Sequence, residues 1–150
     1  MKPDSDKPRR SAQAAALALL AGREHSRLQL ARKLAQREYS EDEIAAALDA
    51  LAADGYLSDQ RATTAKVAAG LRRGHGPGRI RNDLREAGLR TDQPITGDDG
   101  GDIDWVAQAR ALATRKFGDD PPADYTEWAR RARFLQARGF DSATIRKALG

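Results

Sequence analysis

The chain has two imidazoles, His25 and His75, and either could ligate a metal or act as a general base. Neither has a histidine at i+4 or a pair of carboxylates nearby in sequence. A zinc site or a Ser–His–Asp arrangement would therefore need contacts from distant parts of the chain. Asp98, Asp99, Asp102 and Asp104 are close enough in sequence to suggest calcium, but the loop order and terminal Glu of an EF-hand are missing. They read as a solvated acidic linker. Gly74, Gly76 and Gly78 alternate in the way of a phosphate-cradling loop. No Gly-x4-Gly-Lys-Ser/Thr sequence accompanies them, and they follow a helix pattern where a dinucleotide fold needs a strand. They read as a flexible turn between helices, although the helix N-terminus at Pro77 could hold an anion weakly. No catalytic residue, metal or cofactor is expected, and the chain is not expected to be an enzyme.

The residue type that recurs is arginine. Arg72, Arg73, Arg79, Arg81 and Arg85 cluster about the Gly74–Pro77 turn, and Arg130, Arg131, Arg133 and Arg138 lie on the penultimate helix pattern. Arg146 and Lys147 follow on the last helix, and Arg32, Lys33 and Arg37 occupy related places near the N-terminus. Any one of them could be an ordinary solvated position on an amphipathic helix. Their recurrence points to a continuous basic surface formed by Arg72, Arg73, Arg79, Arg81, Arg85, Arg130, Arg131, Arg133, Arg138 and Lys147. Guanidinium forks suit phosphates or an acidic protein groove. Few aromatics interleave with them, so base stacking on single strands is not indicated. A helix-turn-helix reader of DNA is the competing reading. The spread of charge over several helices favours backbone or protein contact over base readout.

Helices must position these residues. Of 150 residues, 40% are hydrophobic and 5% aromatic, a mix that favours helices packed through small aliphatic side chains over a β-sandwich. The absence of cysteine excludes disulfides and thiolate metal sites and suits a reducing cytoplasm. No apolar run approaches the roughly 20 residues that cross a bilayer. The net charge of +4 is compatible with nucleic acid or an acidic protein surface.

Residues 1–10 read as a disordered basic tail. Helix signals then follow at regular intervals, from Ser11 to Ala21 and again from Ser26, where Gln29 completes a capping box and Leu28, Ala31, Leu34 and Ala35 form the apolar face. A third helix starts at Ser40 with Glu43, buries Ile44, Ala47, Leu48 and Leu51, and ends near Gly55. A second module opens at Ser58 with Thr63, Val67, Gly70 and Leu71 on one side. The helix after Pro77 buries Ile80, Leu84 and Ala87. Thr91 to Ile103, with one proline, three glycines and four aspartates, reads as a mobile acidic connection. The last module runs from Asp104 through Trp105, Ala109 and Leu112, resumes at Asp124 with Trp128, Ala132 and Leu135, and closes with Ile145 and Leu149.

Tyr39, Leu89 and Phe140 recur at about 50 residues, a period that marks a repeat protein. Leu34, Leu84 and Leu135 then superpose, as do Ile44 with Ile145 and Leu48 with Leu149. Gly88 and Gly139 match just before the anchor, where the first copy has Glu38. In the second copy Pro94 and Asp98 fall on the two apolar positions. The expected fold is all-α, with three tandem three-helix repeats at 11–57, 58–103 and 104–150, the second degenerate at 91–103. Stacking such small modules gives an elongated array.

The order of motifs is also familiar. Gly74-His75-Gly76-Pro77-Gly78-Arg79-Ile80, followed by Leu84, resembles the Gly-x-Gly-Pro-x-Arg-Ile-x-x-x-Leu signature of the RecX regulatory family. Gly55-Tyr56-Leu57-Ser58-Asp59 with Arg61, Asp104-Trp105 through Phe117-Gly118, and Arg133-Phe134-Leu135 through Phe140 and Ile145 resemble its module junctions and third module. The resemblance extends from Ala12 to Gly150. Ala62 and Lys66 stand where the family usually has Phe and Tyr, and Pro94 with the glycines interrupts the second module's third helix. The resemblance implies a curved array of three-helix repeats that binds along the groove of the RecA–DNA filament. It implies inhibition of recombinase, ATPase and co-protease activities, and hence a role in homologous recombination, DNA repair and the SOS response. The expected partners are the RecA filament and, weakly and without sequence preference, single- or double-stranded DNA. No membrane partner is expected, and the chain is expected to be a cytoplasmic monomer.

Overall fold

A computed structural model describes residues 9–150. The fold is all-α, and the described residues form eight helices: α1 (Ala12–Gly22), α2 (Arg27–Gln36), α3 (Glu41–Ala53), α4 (Asp59–Arg72), α5 (Pro77–Glu86), α6 (Trp105–Phe117), α7 (Tyr125–Ala137) and α8 (Ser142–Leu149). The described residues divide into two compact units, one ending at Thr63 and the other running Thr64–Gly150. No helix among the described residues is long and apolar enough to cross a membrane.

Helix starts follow their caps. Ser11, Ser26, Ser40, Asp104, Asp124 and Asp141 each accept the backbone N–H of the third residue beyond, which satisfies one of the donors a helix N-terminus leaves open. At Ser26 and Ser40 the reciprocal bond from Gln29 or Glu43 completes the capping box.

In the first unit, α1, α2 and α3 enclose a core of Ala15, Ala16, Leu30, Leu34, Ile44, Leu48 and Leu51. The α3 face is the one the periodicity predicts. The α2 face is rotated: Leu30 is fully buried, Leu28 is exposed and Ala35 faces solvent. Leu30 and Leu34 are i, i+4 neighbours on the stripe that meets α3, so packing chose between two overlapping apolar stripes. Arg9 and Arg10 lie within the expected tail but are held on this unit. The Arg9 guanidinium sits 3.8 Å from the Tyr39 ring centroid and donates to the Arg37 carbonyl, while the Tyr39 hydroxyl donates to Arg10 O at 2.7 Å. The rest of the tail, 1–8, lies outside the described residues.

In the second unit α6, α7 and α8 pack around Ala109, Leu112, Ala113, Leu135, Phe140 and Ile145. Ile80, Leu84 and Ala87 of the α5 region are buried as their spacing predicts. The stretch read as a mobile acidic connection has a defined turn. Thr96 and Asp102 pair in an isolated antiparallel bridge, Gly97 N–H donates to Gly101 O, Asp99 accepts the Gly101 N–H, and Ile95 is buried. Pro94 and the glycines remove the helix, and the aspartate and glycine backbones form a turn in its place.

The repeat is visible in backbone geometry. After α2, α5 and α7 the chain enters the left-handed region at Glu38, Gly88 and Gly139, with φ of 68°, 73° and 102°. The next residue in each case, Tyr39, Leu89 or Phe140, donates its N–H to Leu34, Leu84 or Leu135 and is buried. Together with the shorter bond from the left-handed residue, this is a Schellman ending. The same six-residue closure follows α3 at Gly55 and α4 at Gly74.

Candidate docking surface

The arginines that the sequence groups around the Gly74–Pro77 turn are brought together in the second unit. Arg72 ends α4 and Arg73 follows it, and Arg79, Arg81 and Arg85 lie on α5. All five are exposed, and none has a carboxylate within ion-pair distance among the described residues. Arg133 on α7 is exposed in the same way, as is Lys147 on α8, whose carbonyl accepts from Arg110.

The turn between α4 and α5 is fixed by a neighbouring backbone. Gly76 N–H donates to Arg138 O at 2.6 Å and Gly78 N–H to Gly139 O at 3.0 Å. Gly76 caps α5 with no side-chain bond, so the carbonyls that end α7 satisfy the donors that open α5. The helix N-terminus at Pro77 therefore does not hold a free anion there, because carbonyl oxygens already occupy it. The alternating glycines permit this approach. A Cβ on Gly76 would lie 2.5 Å from the Gly139 carbonyl carbon, one on Gly78 3.1 Å from the Gly139 oxygen, and one on Gly74 2.9 Å from Leu112.

Arg138 crosses the same joint. It donates to Arg73 O at 3.3 Å and lies 5.0 Å from the Phe134 ring centroid, placing a cation at the carbonyl end of α4. Arg130 is exposed but pairs with Glu127 through two bonds. Arg131 is a correction to the expected basic surface: it is buried, holds Glu127 Oε1 at 3.1 Å and Asp120 O at 2.9 Å, and lies over Phe117. The i, i+4 carboxylate and the ring draw it inward.

The histidines occupy equivalent places, each just before the N-cap residue of α2 or α5, and both are buried. His25 Nδ1 donates to Arg23 O at 3.0 Å and Nε2 accepts from Lys33 Nζ at 2.9 Å. Burial holds its pKa below the ordinary 6.5; the Lys33 and Arg23 charges add to this, and the Arg23 carbonyl opposes it. His75 Nδ1 is buried without a hydrogen-bond partner among the described residues and stands 3.8 Å from Asp83 Oδ2. Burial and the Arg79, Arg73 and Arg138 charges lower its pKa against the pull of Asp83. No group of three or more His, Asp or Glu side chains among the described residues is arranged to hold a metal ion. Asp99 and Asp104 direct their carboxylates at backbone N–H groups.

One surface feature escaped the sequence reading. Tyr125 is 78% exposed and stacks on Trp128 at 6.0 Å, and together with Pro121, Pro122 and Leu149 these rings line a cavity of about 590 Å³. Pro-Pro followed by Tyr-x-x-Trp was the available signal.

Among the described residues these observations define an all-α protein in which α1–α3 and α6–α8 each pack as a three-helix bundle, with exposed arginines on and beside α4, α5 and α7. Residues 12–51 match the family description "RecX, first three-helix domain" and residues 102–149 match "RecX, third three-helix domain". The chain is 47% identical over 137 residues to a protein named regulatory protein RecX from Acidithiobacillus ferrooxidans, covering 91% of this chain and 87% of the relative. It is 42% identical to the protein of the same name from Halorhodospira halophila, covering 89% and 83%. The crystal structure of RecX from Lactobacillus salivarius matches with a TM-score of 0.72 at 20% identity, over 91% of each chain, a likeness of fold. The chain belongs to the RecX family of regulatory proteins.

Proposed function

We propose that this protein is a non-enzymatic cytoplasmic regulator that docks in the groove of the RecA–DNA filament. Its modules 11–57, 58–103 and 104–150 serve as successive docking units. Docking inhibits recombinase, ATPase and co-protease activities and so modulates DNA repair and the SOS response. The observation that carries this reading is the set of exposed arginines without ion-pair partners among the described residues, Arg72, Arg73, Arg79, Arg81, Arg85 and Arg133, on a chain whose relatives are named as regulatory proteins. Such a face suits a repeated acidic protein surface flanked by phosphates, and any contact with free DNA is weak and blind to sequence.

The test is RecA ATPase and filament length on single-stranded DNA as this protein is added. Inhibition below one molecule per RecA protomer is expected. Changing Arg79, Arg81 and Arg85 together to Glu weakens it, and the difference shrinks at high salt. Unchanged ATPase and filament length overturn the reading. A discrete DNA footprint without RecA replaces it with a transcription module.

A further inference from the structure

The backbones of three arginines from three stretches of chain come together where α5 abuts the turn after α7. Arg73 follows the last residue of α4, Arg79 lies in the first turn of α5, and Arg138 is the C-cap of α7. The two backbone bonds from Gly76 and Gly78 fix Arg138 and Gly139 against this corner, and Arg138 reaches the Arg73 carbonyl at 3.3 Å. Gly139 is so close to Arg79 that a Cβ there would lie 2.6 Å from its N and 2.7 Å from its Cβ. Beneath the corner is the buried His75, its Nδ1 without a hydrogen-bond partner among the described residues. The nearest acid, Asp83, stands 3.8 Å away, beyond hydrogen-bond distance. At His75 the charges of Arg79, Arg73 and Arg138 act against the single carboxylate of Asp83. Arg73 and Arg79 are exposed and Arg138 is half-buried, so the excess positive charge is open to an anion arriving from solvent.

We propose that Arg73, Arg79 and Arg138 form a binding site for a phosphate group of nucleic acid. Three forks arriving from three elements suit a tetrahedral oxyanion. A planar carboxylate is satisfied by a single fork. The site exists only across the Gly76–Gly139 joint, because neither side of that joint carries all three arginines. It lies within the surface proposed above for filament docking. Its test uses no filament, so either reading can fail while the other stands.

His75 is the reporter and His25, in the other unit, the internal reference. The imidazole signals of the full chain are followed by NMR at fixed pH as inorganic phosphate, oligothymidylate and 5′-phosphorylated oligothymidylate are added separately. The expected result is a saturable shift of His75 with His25 unmoved. Binding also raises the His75 pKa, because the anion offsets the guanidinium charges. Arg79→Gln, an exposed substitution, and Arg138→Gln each weaken the apparent affinity about tenfold. Equal responses to the two oligomers assign the backbone phosphate, and a response confined to the phosphorylated oligomer and inorganic phosphate assigns a terminal one. Absence of a His75 shift with every phosphate probe overturns the proposal. So does a stronger response to polyglutamate than to oligothymidylate at equal charge, or unchanged affinity in both variants.

Discussion

Gly76 and Gly139 meet backbone to backbone, so that a methyl group on Gly76 would stand 2.5 Å from the Gly139 carbonyl carbon. The approach lets α5 borrow its N-terminal hydrogen bonds from the end of α7. Gly139 also carries a φ of 102°. Gly139→Ala therefore meets both left-handed strain and a backbone clash, and is expected to cost at least about 3 kcal/mol. Gly55→Ala is the control, because Gly55 has a φ of 82° but a methyl group there would meet nothing within 4 Å; it should cost about 1–2 kcal/mol. Urea denaturation of both variants measures the difference, and equal losses would show that the joint yields.

Glu38 is the one non-glycine residue with positive φ among the described residues, at 68°. It fills the place that Gly88 and Gly139 fill in the later repeats. Relief of left-handed strain outweighs the extra chain entropy of glycine, so Glu38→Gly should stabilise the protein by up to about 1 kcal/mol. A raised urea midpoint with unchanged slope checks it.

Arg130 and Arg131 share Glu127 but differ in burial. Arg131→Ala leaves Glu127 and the Asp120 carbonyl without a buried donor and uncovers Phe117, and should cost about 2–3 kcal/mol. Arg130→Ala removes an exposed pair and should cost less than about 1 kcal/mol. Thermal unfolding of the two variants separates a structural arginine from a surface one.

Both histidines have pKa values held below 6.5, chiefly by burial. The unfolded chain therefore takes up protons before the folded one. Stability contributed by the neutral rings is full above pH 6.5 and falls as the pH drops through that value towards the folded pKa values. His75→Asn should flatten part of this slope. Denaturation midpoints between pH 7.5 and 5 provide the check, and a pH-independent midpoint would contradict the burial of the two rings. Glu43, Glu127 and Asp141 are also held below their ordinary values, by hydrogen bonds to Ser40, Arg130 and Thr144, so a second loss follows in more acid solution.

Local chemistry alone determined the helices, their caps and the period of the repeat. Ser26 with Gln29, Pro77 at a helix start and glycine at a helix end act within a few residues of themselves, so their meaning survives without a neighbour. The arginine clusters were legible for the same reason. Tertiary structure decided which of two stripes α2 buries, that Glu38 takes a glycine's conformation, that Arg131 turns inward, and that Gly76 finds the end of α7. Each of these depends on a surface brought from elsewhere in the chain, and spacing along one helix carries no record of what that helix will meet.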